Sequence, residues 1–144
     1  MNALIDTNVV LDDILERAPL AEISRKITQM AADYVISGYL TANCLTDIFY
    51  VVSKNRNEAI ARKTIKNLLL VFSVVSVDGD DCKNAIDFPM SDFEDALVVV
   101  CAKKVDLDYI VTNDQSFLSS ADLSVPAISP SDFLLKVGVR CEIL

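Results

Sequence analysis

Four aspartates in this chain stand where a carboxylate is hard to explain as surface polarity. Asp6 ends the apolar run Asn2-Ala3-Leu4-Ile5, and Asp47 interrupts Leu45-Thr46-Asp47-Ile48-Phe49-Tyr50. Asp95 opens directly onto the apolar stretch Ala96 to Ala102, and Asp114 follows Tyr109-Ile110-Val111-Thr112. An unpaired carboxylate at the mouth of a core is costly, so it should find a cation or several hydrogen-bond donors. Several carboxylates in one crevice repel one another, and divalent cations are the usual remedy. Oxygen ligands alone suit Mg²⁺ or Mn²⁺. Plainer roles remain open for each. Asp6 suits a helix cap, Asp114 an Asx turn and Asp47 a solvated helix face. Asp92, three residues before Asp95, suits the acid favoured at a helix N-terminus.

The elements that must hold these acids follow from hydrophobic spacing. Asn2 to Asp6 reads as a buried strand, and residues 8–16 as a helix capped by Asp6 or Thr7. Pro19 breaks it, and Ile23, Ile27, Met30 and Ala31 mark a second helix. Tyr34 to Ser37 is a strand candidate, with Gly38 admitting a helix from Ala42 to Lys54. Asn57 caps a further helix through Leu70. Phe72 to Val77 reads as a strand, and Gly79-Asp80-Asp81 starts a short helix. Residues 92–104 make a helix that is apolar all round over much of its length and therefore buried. Tyr109 to Thr112 is a strand, Asn113 to Leu118 a loop or helical turn, and Val125 to Ile128 a last strand. Ser129-Pro130-Ser131-Asp132 opens a final helix, with proline in its first turn. Strands alternating with helices predict an α/β fold, a central parallel sheet between helical layers. In such folds ligands gather outside the carboxyl ends of the strands, where Asp6 and Asp114 both fall.

The length of 144 residues suits one domain over 1–144, and a hydrophobic content of 52% is ample for its core. The longest apolar stretches are too short to span a bilayer, and the N-terminus lacks a signal peptide's basic start. Cys44, Cys82, Cys101 and Cys141 are scattered with no CxxC pair, and histidine is absent, which disfavours zinc. Reduced thiols in a cytoplasmic protein are the expectation. Without histidine, Ser-His and Cys-His nucleophile systems are excluded, leaving carboxylates and metal as the tools of any hydrolysis. The net charge of −8 argues against a broad basic groove for nucleic acid. Lys54, Arg56, Arg62, Lys63 and Lys66 form the one basic window, either an RNA track or a solvated helix face.

Taken together, the motifs resemble those of the PIN domain family. "LIDTNVVLD" carries an Asp-Thr-Asn signature at Asp6-Thr7-Asn8. "CLTDIFYVV" places Asp47 where the family has a second acid, more often Glu, which is one methylene longer. "DFEDALVVVCAKK" carries the Asp-Ala pair at Asp95-Ala96, and "IVTNDQSF" the late Thr-x-Asp at Thr112-Asn113-Asp114. "SPSDFL" resembles the family's closing element. The resemblance runs from Asn2 to about Leu134. It implies a three-layer α/β/α sandwich and metal-dependent cleavage of RNA. Small members of the family are commonly toxins neutralised by a small antitoxin protein, and a homodimer is a further expectation. Under this reading Asp6, Asp95, Asp114 and Asp47 hold Mg²⁺ or Mn²⁺. Thr7, Asn8 and Thr112 orient carboxylates, and Asp92 is an auxiliary acid. The rival reading is a binding module that keeps the fold and the acidic pocket but acts by engaging a partner or RNA with little catalysis. A receiver-like signalling domain fits less well, because it needs a lysine at a late strand end, where Thr112-Asn113-Asp114 stands.

Overall fold

The computed structural model describes residues 1–120 and 124–143, with the side chains of 139–143 excepted. Five short strands form one sheet: β1 (Asn2–Ile5), β2 (Ser37–Thr41), β3 (Ser73–Val75), β4 (Tyr109–Val111) and β5 (Ala127–Ile128). Their spatial order is β3-β2-β1-β4-β5, and every neighbouring pair is parallel. The helices are α1 (Thr7–Ile14), α2 (Ala21–Ala32), α3 (Ala42–Asn55), α4 (Glu58–Val71), α5 (Gly79–Asp87), α6 (Phe93–Lys104), α7 (Gln115–Leu118) and α8 (Pro130–Ile143).

Alternation along the strands divides the core into two faces. Ala3 and Ile5 of β1, Leu40 of β2 and Val111 of β4 pack with Val9 and Val10 of α1, Ile27 of α2, Ile48 and Val52 of α3, and Phe133 of α8. Leu4 and Ile110 point the other way, against Val98, Val99 and Ala102 of α6 and Phe117 of α7. Val75 meets Ala85 of α5 and Ala96, Leu97 and Cys101 of α6. Both faces are covered, as a parallel sheet requires, so the strands read as continuous apolar runs. The result is the predicted helix–sheet–helix sandwich. The all-round apolar α6 is buried as its composition predicts.

The order of the strands reverses at β1. The chain moves from β1 outward to β2 and β3, then returns to β4 on the other side of β1. Loops leaving β1 and β4 therefore diverge to opposite faces and leave a crevice between them. The two strands stay bonded to their ends, with the Asp6 N–H donating to the Val111 carbonyl at 2.9 Å.

One element differs from the sequence reading. Tyr34 to Ile36 are not strand; they form the turn that follows α2, and of the four residues only Ser37 belongs to a strand. The Val35 N–H donates to the Met30 carbonyl and the Tyr34 N–H to that of Ala31, with Tyr34 at a φ of 60°. This is the Schellman arrangement that ends a helix, with Tyr34 in the position glycine usually takes. Of its apolar residues, Tyr34 and Val35 are exposed and only Ile36 is buried. Strand β2 starts at Ser37 instead and runs through Gly38. Gly38 opens no helix: a Cβ there would lie 2.6 Å from Cδ1 of Phe72, so the absent side chain makes room for that ring. Asn113 to Leu118 resolves into a short loop followed by α7. Cys44, Cys82 and Cys101 are free thiols; Cys141 has its side chain outside the described residues.

Candidate active site

The crevice collects the starts of four helices. α1 begins at the end of β1, α3 at the end of β2 and α7 just after β4, while α6 approaches from the opposite face. Asp6 caps α1, its Oδ1 accepting from the Thr7 N–H at 2.9 Å, and its Oδ2 accepts from the Thr112 hydroxyl at 2.8 Å. Thr112 is fully buried, and its Oγ1 also accepts from the Asp114 N–H at 3.1 Å. One hydroxyl thus ties the end of β1 to the loop after β4. Asp114 caps α7, accepting from the N–H and the hydroxyl of Ser116 at 2.9 and 2.7 Å. Asp92 caps α6, accepting from the Asp95 N–H at 3.0 Å. The plain cap roles and a shared crevice therefore coexist: the caps aim these acids along the helix starts that converge there.

The electrostatics separate the acids. Burial raises Asp6, opposed by the Thr112 and Thr7 hydrogen bonds and reinforced by Asp114 and Asp92. Asp95 is pushed up to about 7, first by burial and then by the charges of Asp92, Asp6 and Asp114. The Ser116 bond holds Asp114 below the usual carboxylate range. Asp95, Asp6, Asp92 and Asp114 are therefore close enough to repel. Asp47 enters through Glu94, a residue the sequence reading passed over. The Glu94 carboxyl is pushed up to about 7, chiefly by a side-chain hydrogen bond with Asp47, then by burial and by the charges of Asp47, Asp6 and Asp92. In sequence Glu94 looks like an ordinary first-turn acid. Its position one residue before Asp95 turns it by about 100° around α6, toward α3 instead of β1.

Thr112 orients Asp6 through its hydroxyl, whereas Thr7 does so through its backbone. The Thr7 side chain opposes instead the upward push on Cys44, a buried thiol raised to about 12 by burial and by the neighbouring Asp6, Asp47 and Glu94. Asn8 is exposed on the first turn of α1. The basic window lies on α3 and α4, where Arg62 pairs with Glu58 at 3.0 Å and covers the Phe49 ring, while Lys54 lies over Tyr50. These are partners within the helical hairpin, as on a solvated face.

The donor set fits a hard cation. Cys44, pushed to about 12, stays a thiol and offers no soft ligand. The remaining groups are oxygens, and burial and mutual repulsion favour holding a proton or a cation on Asp6, Asp95 and Glu94. Asn43 Oδ1, one turn before Asp47 on α3, is buried without a hydrogen-bond partner among the described residues. No three acids or thiols among those residues already surround one point as metal ligands would. A cavity of about 160 Å³, bordered by Met90, Asp92, Asp95 and Ser116, adjoins the acids.

A family model described as PIN domain matches residues 2–116. The chain belongs to the PIN domain family. This PIN domain is 26% identical over 121 residues to Ribonuclease VapC1 of Aquifex aeolicus (strain VF5), a match covering 80% of this chain and 83% of that protein. Solved structures share its fold. The crystal structure of VapBC2 from Rickettsia felis, bound to a DNA fragment from its promoter, aligns with a TM-score of 0.66 at 12% identity over 90% of this chain and 98% of that one. Mycobacterium tuberculosis VapC20, described as a sarcin-ricin loop cleaving toxin, aligns with a TM-score of 0.66 at 14% identity over 85% and 98%.

Proposed function

We propose that this PIN domain is a metal-dependent endoribonuclease and the toxin of a toxin–antitoxin pair. What supports this reading is that Asp6, Asp95 and Asp114 lie close enough to repel one another near the strand-order reversal, with Asp6 and Asp95 held high chiefly by burial. The named ribonuclease relative supplies the substrate class, RNA. In this reading Asp6, Asp95 and Asp114 hold Mg²⁺ or Mn²⁺, and Asp47 completes the site together with Glu94. The cation would activate water and offset the charge that builds on the scissile phosphate. Thr112 aims Asp6 through its hydroxyl and opposes the effect of burial on it, and the Thr7 N–H does the same from the helix start. Ser116 keeps Asp114 ionised. Asp92 fixes the first turn of α6 and so the direction of Asp95. The antitoxin partner is inferred from toxin–antitoxin complexes among proteins of the same fold, one of them from Klebsiella pneumoniae. Three free thiols suit a reducing compartment, the cytoplasm, and no helix among the described residues is long and apolar enough to cross a membrane.

Asp47 favours a second reading, a binding module with weak catalysis, because its carboxylate is shorter than the family's usual Glu. Glu94 beside it answers that objection by adding a second carboxylate at the same place. The deciding assay is cleavage of a fluorescein-labelled single-stranded RNA in Mn²⁺. Wild type should cut and stop on chelation, and Asp6→Asn should not cut. Equal cleavage by Asp6→Asn and wild type would remove the enzyme reading and leave the binding module.

A further inference from the structure

Asp12 is a buried carboxylate that the site described so far does not use. It lies on α1, whose neighbouring residues Val9, Val10 and Leu11 are buried and apolar, and it is only 7% exposed. Its Oδ2 accepts from Asn113 Nδ2 at 2.7 Å, across a separation of 101 residues. Its other oxygen, Oδ1, lies 3.8 Å from Nη1 of Arg17, whose backbone N–H donates to the Asp12 carbonyl at 3.0 Å. A buried charge of this kind is weak evidence for stability, since an apolar residue of similar volume often serves as well. What the carboxylate adds is direction. Asn113 stands between Thr112 and Asp114 in the short loop from β4 to α7. Thr112 fixes one side of that loop to Asp6, and Asn113 fixes the other to α1.

We propose that Asp12 and Asn113 form a clamp that positions Asp114, locking the loop after β4 to α1 so that this carboxylate is presented to the cation in register with Asp6. Asp12 is a positioning residue: it touches neither the cation nor the substrate, and it acts through Asn113. The inference rests on the metal reading above for its consequence, and on the 2.7 Å bond for its geometry. Groups that orient a metal-binding side chain typically change metal affinity 10- to 100-fold when removed.

Two readouts test it on the full chain: calorimetric titration with Mn²⁺ alone, and hydrogen exchange of the Asp114 amide before metal is added. Asn113→Ala should weaken Mn²⁺ binding by about 10-fold and speed exchange at Asp114 while leaving the β1 amides protected. Asp12→Leu removes the acceptor for the Asn113 amide at similar volume and should match Asn113→Ala in both readouts. Asp81→Asn breaks a buried carboxylate bond elsewhere in the fold. It should lower the melting temperature without changing Mn²⁺ affinity. If Asn113→Ala fails to fold, Asn113→Gln, with its amide one methylene further out, is read in the same two ways. Wild-type affinity and exchange in a folded Asn113 variant would overturn the clamp. So would exchange that rises equally at β1 and Asp114, which marks a general loss of stability. If wild type itself binds no Mn²⁺, the metal reading fails, and exchange at Asp114 alone decides whether the clamp exists.

Discussion

The chain contains the same local device twice, at Asp78-Gly79-Asp80-Asp81 and at Asp92-Phe93-Glu94-Asp95. In each, the first aspartate caps a helix and accepts from the N–H of the fourth residue, at 2.9 Å for Asp78 and 3.0 Å for Asp92. There the likeness ends. Asp81 Oδ2 reaches back to the Asp78 N–H at 3.0 Å and lies 2.6 Å from Lys104 Nζ, which also donates to the Ser76 carbonyl at 2.7 Å. The lysine bond holds Asp81 below the usual carboxylate range. Asp95 faces Asp6 and Asp114 instead of a lysine, and its carboxyl is pushed up to about 7. A cavity of about 680 Å³ bordered by Asp78, Asp81 and Lys104 is far roomier than the one beside Asp95, yet lysines stand among its acids. A count of acids or a pocket size does not separate a site from a cap. The missing countercharge does.

This contrast can be broken most forcefully at Asp95. Asp95→Asn should lower RNA cleavage by about 100- to 1,000-fold, the scale seen when one preorganised electrostatic group is lost, while the melting temperature before metal is added holds or rises. Cleavage within a factor of two of wild type would place Asp95 outside the chemistry. Asp81→Asn should do the reverse. It leaves Lys104 short of a partner and costs about 1–3 kcal/mol in denaturant unfolding, with cleavage at 25 °C unchanged. A loss of activity as large as that of Asp95→Asn would dissolve the distinction between the two regions.

Acidity sharpens the same comparison. Asp6, Asp95 and Glu94 have raised pKa values, so the folded chain keeps protons that the unfolded chain releases. Their contribution to stability is fully present below the ordinary carboxylate range and is lost as pH climbs toward 7. Asp81 works oppositely: its contribution is present above its ordinary value of 3.8 and lost as pH falls below it. The melting temperature of the protein in chelator should therefore fall between pH 4.5 and pH 7.5 (values about the range set by these shifts), and saturating Mn²⁺ should flatten the fall. A melting temperature in chelator that climbs steadily across that interval would show that the crevice acids carry no mutual strain.

The smallest effect concerns the helix ends. Glu16 takes the left-handed position after α1 at a φ of 53°, as Tyr34 does after α2. Glu16→Gly should raise stability by about 0.5–1 kcal/mol, read by urea unfolding, with cleavage unaffected. A loss of stability would mean that the Glu16 contact with Arg25, at 3.9 Å, outweighs the backbone strain.

Much of this was legible in the residues. Period and caps placed α3, α4 and α6 well, because each has a long apolar face or a plain capping residue, and β4 stood out as a short apolar run. The crevice followed from Asp6 and Asp114 at strand ends together with the alternation of strands and helices. Tyr34 to Ser37 misled because apolar residues at a helix end imitate a short strand, and the left-handed turn at Tyr34 leaves no glycine to mark it. Glu94 and Asp12 were hidden for a different reason. Their importance lies in partners on other elements, Asp47 on α3 and Asn113 after β4, and no local pattern encodes a contact across the fold.

The reversal of strand order also bears on synthesis. The hydroxyl that orients Asp6 comes from Thr112, made 106 positions later. Such a long-range closure comes late in folding, after local helices and the β1–β2 pairing. A chain still growing on the ribosome therefore carries half a crevice, with β2 beside Asp6 but neither β4 nor the Thr112 hydroxyl. If the finished molecule destroys RNA, the machinery that translates it is shielded until the strand that carries Thr112 has emerged.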